Sequence, residues 1–110
     1  MEIKDYVLIA KEALEDKKGT DIKILDITGL SPISDYFVLA TGSNINQVKA
    51  MSDEVLDKLS RSDVHAKHIE GYDKANWILM DYGDFMVHIF STEGREFYNL
   101  ERIWRDAKVM

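Results

Sequence analysis

Apolar residues in the first segment, Ile3, Tyr6, Val7, Ala10, Ala13 and Leu14, recur every third or fourth position. This spacing predicts a helix over roughly residues 2–17, stopped by Lys17, Lys18 and Gly19. Residues 21–27 interleave isoleucines with polar side chains, as a strand does, and residues 28–34 hold Gly29 and Pro32, as a loop does. The run DYFVLAT, residues 35–41, is apolar at almost every position and predicts a strand covered on both faces, hence central in its sheet. Gly42 and Ser43 end it. Asn44 followed three residues later by Gln47 forms a capping-box pattern, opening a helix through about Ser60 with Val48, Met51, Val55, Leu56 and Leu59 as its buried stripe.

In the second half, residues 64–70 predict a short strand and residues 71–75 a loop. Residues 76–81 and 85–90 predict two strands of a hairpin turning at Tyr82, Gly83 and Asp84. Phe97, Leu100, Ile103, Trp104 and Ala107 return to helical spacing and predict one closing helix, with Asn99 able to cap within it. The order α-β-β-α-β-β-β-α places the chain in the α/β class, as one domain over residues 1–110 with a mixed five-stranded sheet covered by helices. No repeat, low-complexity tract or linker divides it.

Composition narrows the partners. Twenty acidic against fourteen basic residues give a net charge of −6, which disfavours direct contact with nucleic acid and favours a basic protein, including one seated on a nucleic-acid particle. The absence of cysteine excludes disulfides, thiolate nucleophiles and cysteine-type zinc sites. The N-terminal stretch has no apolar run of signal-peptide or membrane-span length, so a cytoplasmic protein with no membrane partner is expected.

Several constellations could carry chemistry. Gly42 and Ser43, between a buried strand and a helix start, stand where backbone N–H groups can cradle phosphate, and nucleotidyltransferases use a Gly-Ser pair there. Such enzymes also need paired carboxylates on a neighbouring strand for Mg²⁺, whereas Asp53, Glu54 and Asp57 fall on the predicted helix. A capped turn explains the pair. A nucleotide-binding or nucleotidyltransferase-like enzyme is thus the alternative reading, and no catalysis, cofactor or metal is expected. His65 and His68, three apart on a strand, point to opposite faces, and His88 alternates with Val87 and Ile89 as a sheet residue. Glu70, Asp81 and Asp84 lack a partner nucleophile; the last two flank a turn and suit local hydrogen bonding. Arg95, Arg102, Arg105 and Lys108 are interleaved with Glu93, Glu96, Glu101 and Asp106, a mixed solvated face. Strand alternation places Trp77, Leu79 and Asp81 on one side and Ile78 and Met80 on the other. Trp77 is then either an exposed anchor for a protein partner or core beneath a helix. A homodimer through an exposed sheet edge is a further reading.

The strings SDYFVLATGS, EG followed by ANWILMDYGDFMVHIF, and REFYNLERIWRDA, in this order and spacing, resemble the ribosomal silencing factor (Iojap) family over almost the whole chain. The resemblance implies a nucleotidyltransferase-like fold without transferase activity. It also implies binding to the large ribosomal subunit through a basic protein of the L-fourteen family, sterically hindering small-subunit joining. Carried onto this sequence, it implies partner contacts by Trp77, Leu79, Asp81 and Tyr82, with Glu70, His88, Arg95, Tyr98 and Glu101 in matching motifs. Ser91 and Thr92 stand where the family often has His-Pro, Gly94 is a poor helix former, and Ile103 replaces the usual Leu, which draws attention to the start of the last helix.

Overall fold

A computed structural model describes residues 2–110. Helix α1 (Ile3–Asp16) opens with Glu2 N–H donating to Asp5 Oδ2 at 2.9 Å and ends where Lys18 turns to a φ of 64°. Strands β1 (Thr20–Asp26) and β2 (Tyr36–Gly42) follow, then helix α2 (Ile45–Ser60). Asn44 caps α2 as expected, accepting from Gln47 N at 2.8 Å. The reciprocal arm differs: Gln47 Oε1 accepts from Ser43 N and Ser43 Oγ, at 2.6 and 2.9 Å. Strands β3 (His68–Glu70), β4 (Trp77–Asp81) and β5 (Phe85–Ser91) come next, then helices α3 (Thr92–Tyr98) and α4 (Leu100–Ile103), and strand β6 (Lys108–Val109).

The sheet order is β3-β4-β5-β2-β1-β6. Strands β2 and β5 run parallel and the other pairings are antiparallel, so the sheet is mixed, with β2 inside it. Helices α1 and α2 cover one face, where Val7, Leu14, Met51 and Val55 pack on Val38, Ala40, Ile78, Val87 and Ile89. The opposite face carries a smaller cluster of Leu25, Ile27, Phe37, Leu39, Phe90 and Leu100, flanked by Trp77, Met86 and Trp104. This smaller cover leaves Trp77, Leu79 and Asp81 partly exposed.

Three expectations are corrected. The sheet has six strands, because the chain doubles back after Trp104 and pairs Lys108 and Val109 with Asp26 and Leu25. Two residues are too few for alternation to register in a sequence. The third strand shrinks to three residues, leaving His65 outside it. The closing helix is broken at Asn99, whose φ of 42° and ψ of 59° are left-handed. Only Leu100 of the expected stripe is buried; Phe97 is 81% and Ile103 68% exposed. The substituted start of α3 is well formed: Ser91 is its N-cap and accepts from Gly94 N at 3.0 Å.

Candidate protein-docking face

Register builds the less covered face in rows. His68, Asp81, Met86 and Phe37 align across β3, β4, β5 and β2; Glu70, Leu79, His88, Leu39 and Lys23 form the next row, reaching β1; Trp77, Phe90 and Thr41 form the third. Directly paired residues share a face. Over β2 and β5, helices α3 and α4 bury Phe37, Leu39, His88 and Phe90. Toward β3 the cover stops. There Trp77, Leu79, Asp81 and Met86 are half-buried, while Glu70 and His68 are exposed. The result is an apolar strip edged by the carboxylates of Asp81 and Glu70.

Trp77 is neither free surface nor core. Its ring stacks on Phe90 at 5.4 Å and tilts against Tyr98 at 4.6 Å, and its Nε1–H donates to His88 Nδ1 at 3.0 Å. Burial pushes the His88 imidazole down to about 3, so the ring is neutral at ordinary pH. Two glycines admit this arrangement. A Cβ on Gly94 would lie 2.4 Å from the Asn76 carbonyl oxygen, so α3 could not approach β4 with any other residue there. At Gly71, φ is 82° and a Cβ would meet the Trp77 carbonyl oxygen at 2.0 Å.

The other candidates distribute differently. Tyr82 leaves the Trp77 face for the side covered by α1 and α2, stacked on Phe85 at 4.9 Å, and burial raises its hydroxyl to about 12. Arg95 is 7% exposed and ties elements together. It donates through Nε to Glu101 Oε1 at 2.7 Å and through Nη1 to Thr41 Oγ1 at 2.9 Å. Lys23 Nζ donates to the other Glu101 oxygen at 2.6 Å. Arg95 above all, then Lys23, holds the Glu101 carboxyl below its usual range. The structure thus brings together Trp77, Leu79, Asp81, Glu70, His88 and Tyr98, and sets Arg95 and Glu101 apart as a brace. Sequence reasoning missed Met86 and Phe90, although strand alternation with His88 signals both.

The histidines and the Gly-Ser turn have local occupations. His65 Nε2 lies 3.1 Å from Asp63 Oδ1 and His68 Nε2 lies 3.0 Å from Glu70 Oε1. No group of three or more metal-ligating side chains suited to an ion occurs among the described residues. At the turn, the Ser43 N–H is already engaged by Gln47, and a Cβ on Gly42 would lie 2.8 Å from Val48 Cγ2.

An α/β domain whose distinguishing surface is an aromatic strip edged with carboxylates has the form of a protein-binding module. The chain belongs to the ribosomal silencing factor family: the family model described as ribosomal silencing factor during starvation matches residues 1–110. It is 40% identical over 107 residues to the ribosomal silencing factor RsfS of Bacillus subtilis, covering 97% of this chain and 91% of that one. A crystal structure of a protein from Chromobacterium violaceum superimposes with a TM-score of 0.92 at 38% identity, covering 94% of this chain and 87% of that one. A mouse protein named mitochondrial assembly of ribosomal large subunit protein 1 is 30% identical over 95 residues, covering 83% of this chain and 41% of its own length. The role this family carries is ribosome-associated silencing of translation, and its name denotes a silencing factor, not an enzyme.

Proposed function

We propose that the protein silences translation in the cytoplasm by docking its Trp77-Leu79-Asp81 face on a basic protein of the large ribosomal subunit, of the L-fourteen family, and so sterically hindering small-subunit joining. One observation carries the reading: a stacked, hydrogen-bonded tryptophan held half-exposed on a sheet face that also carries the carboxylates of Asp81 and Glu70. Buried aromatic anchors ringed by polar groups dominate protein interfaces, and carboxylates select a basic partner. Family membership supplies the ribosome, and the mouse relative's name points to the large subunit.

The test is co-sedimentation with free large subunits and a light-scattering measurement of subunit joining. Wild-type protein should bind large subunits and slow joining. Trp77→Ala should weaken binding by about 2 kcal/mol or more, and Leu79→Ala by a smaller amount. Asp81→Asn removes the charge yet leaves an acceptor for Gly83 N, now bonded to Asp81 Oδ1 at 2.8 Å. It should weaken docking without unfolding the hairpin. A folded wild-type protein that leaves large subunits unbound and joining unchanged would defeat the proposal.

A further inference from the structure

The proposed docking face rests on an indole that is held from several sides. Trp77 lies against Phe90 and Tyr98, and its Nε1–H reaches His88 Nδ1 at 3.0 Å. His88 stands opposite Leu79 and Phe90 opposite Trp77, so His88 is the diagonal cross-strand neighbour of Trp77. A nitrogen that accepts carries no proton, which places the single proton of the neutral imidazole on Nε2. That Nε2 is buried and has no hydrogen-bond partner among the described residues; the His88 and Phe37 ring centroids lie 4.6 Å apart with their planes at 68°.

A buried donor left unpaired works against folding, and an aliphatic residue at this sheet position would avoid that burden. Among the described residues, the one side-chain hydrogen bond His88 makes is with Trp77. The geometry points to His88 as a positioning residue for Trp77, fixing the indole through its Nε1–H in the orientation a partner meets and not touching the partner itself. The inference rests on reading the Trp77 face as the docking surface. Its physical basis is pre-organisation: an indole already fixed loses little rotameric freedom when a partner covers it.

The test combines a spectroscopic readout on the free protein with a double-mutant cycle on binding to purified large ribosomal subunits. Asn carries a side-chain oxygen close to where Nδ1 sits, whereas Leu offers no acceptor. In nitrogen-15 spectra the Trp77 indole N–H should exchange slowly with solvent in wild type and His88→Asn, and rapidly in His88→Leu. His88→Leu should weaken binding by about tenfold while melting cooperatively, and His88→Asn should restore most of the loss. In a Trp77→Phe background, which lacks the indole donor, His88→Leu should cost nothing further. Equal losses in the two backgrounds, or an indole resonance unchanged by His88→Leu, would overturn the proposal while leaving the docking face intact. Failure of wild-type protein to bind would instead remove the docking reading and this inference with it.

Discussion

His88 makes acid sensitivity a property of one residue. Its folded pKa, about 3, lies below the usual histidine value of 6.5, so the unfolded chain takes up a proton at higher pH than the native state does. The stabilisation is fully present above about pH 6.5 and is lost as pH falls toward 3, at about 1.4 kcal/mol per pH unit. Urea unfolding at pH 7 and pH 5 should therefore show a loss of about 2 kcal/mol in wild type that His88→Leu lacks. Glu101 is held low by Arg95, so its contribution disappears only at more acidic pH than the first part of that window. At this scale the sequence was partly legible. Alternation identified His88 as a sheet residue, but its hydrogen bond to Trp77 joins residues 11 positions apart and follows from register.

Among elements, the α3–Asn99–α4 segment decides how much of the face is covered. Asn99 adopts a left-handed conformation and also caps α4, its Oδ1 accepting from Arg102 N at 3.3 Å. Asn99→Ala loses both advantages and should destabilise by about 1–2 kcal/mol in chemical denaturation. The break also predicts a contrast along the apolar stripe read from the sequence. Leu100→Ala should cost about 2 kcal/mol or more, whereas Phe97→Ala should change stability by less than about 0.5 kcal/mol. A continuous helix would make both residues core. Helical spacing was correctly seen in this segment, but spacing fixes only direction within an unbroken helix. Asn99 interrupts the phase, and Leu100 and Trp104 then turn inward while Phe97 turns out.

For the molecule as a whole, a net charge of −6 and the carboxylates edging the proposed docking face predict that encounter with the proposed basic partner is sensitive to salt. Stopped-flow binding to large subunits should show an association rate falling severalfold as ionic strength rises, with a smaller change in the dissociation rate. The sheet edges are short strands of three and two residues, β3 and β6, a form that discourages pairing with another copy.

Local periodicity by itself determined α1, the doubly covered β2, α2 with its Asn44 cap, and the β4–β5 hairpin. It also separated Trp77, Leu79 and Asp81 from Ile78 and Met80, because strand and helix repeats are written in neighbouring residues. Only the tertiary structure decided which side of the sheet the helices cover, that Tyr82 packs beneath them, that Arg95 and Glu101 brace the last helices, and that residues 108–109 add a sixth strand. These outcomes depend on contacts between distant segments, where the area buried and the charges paired, rather than any local repeat, set the energy.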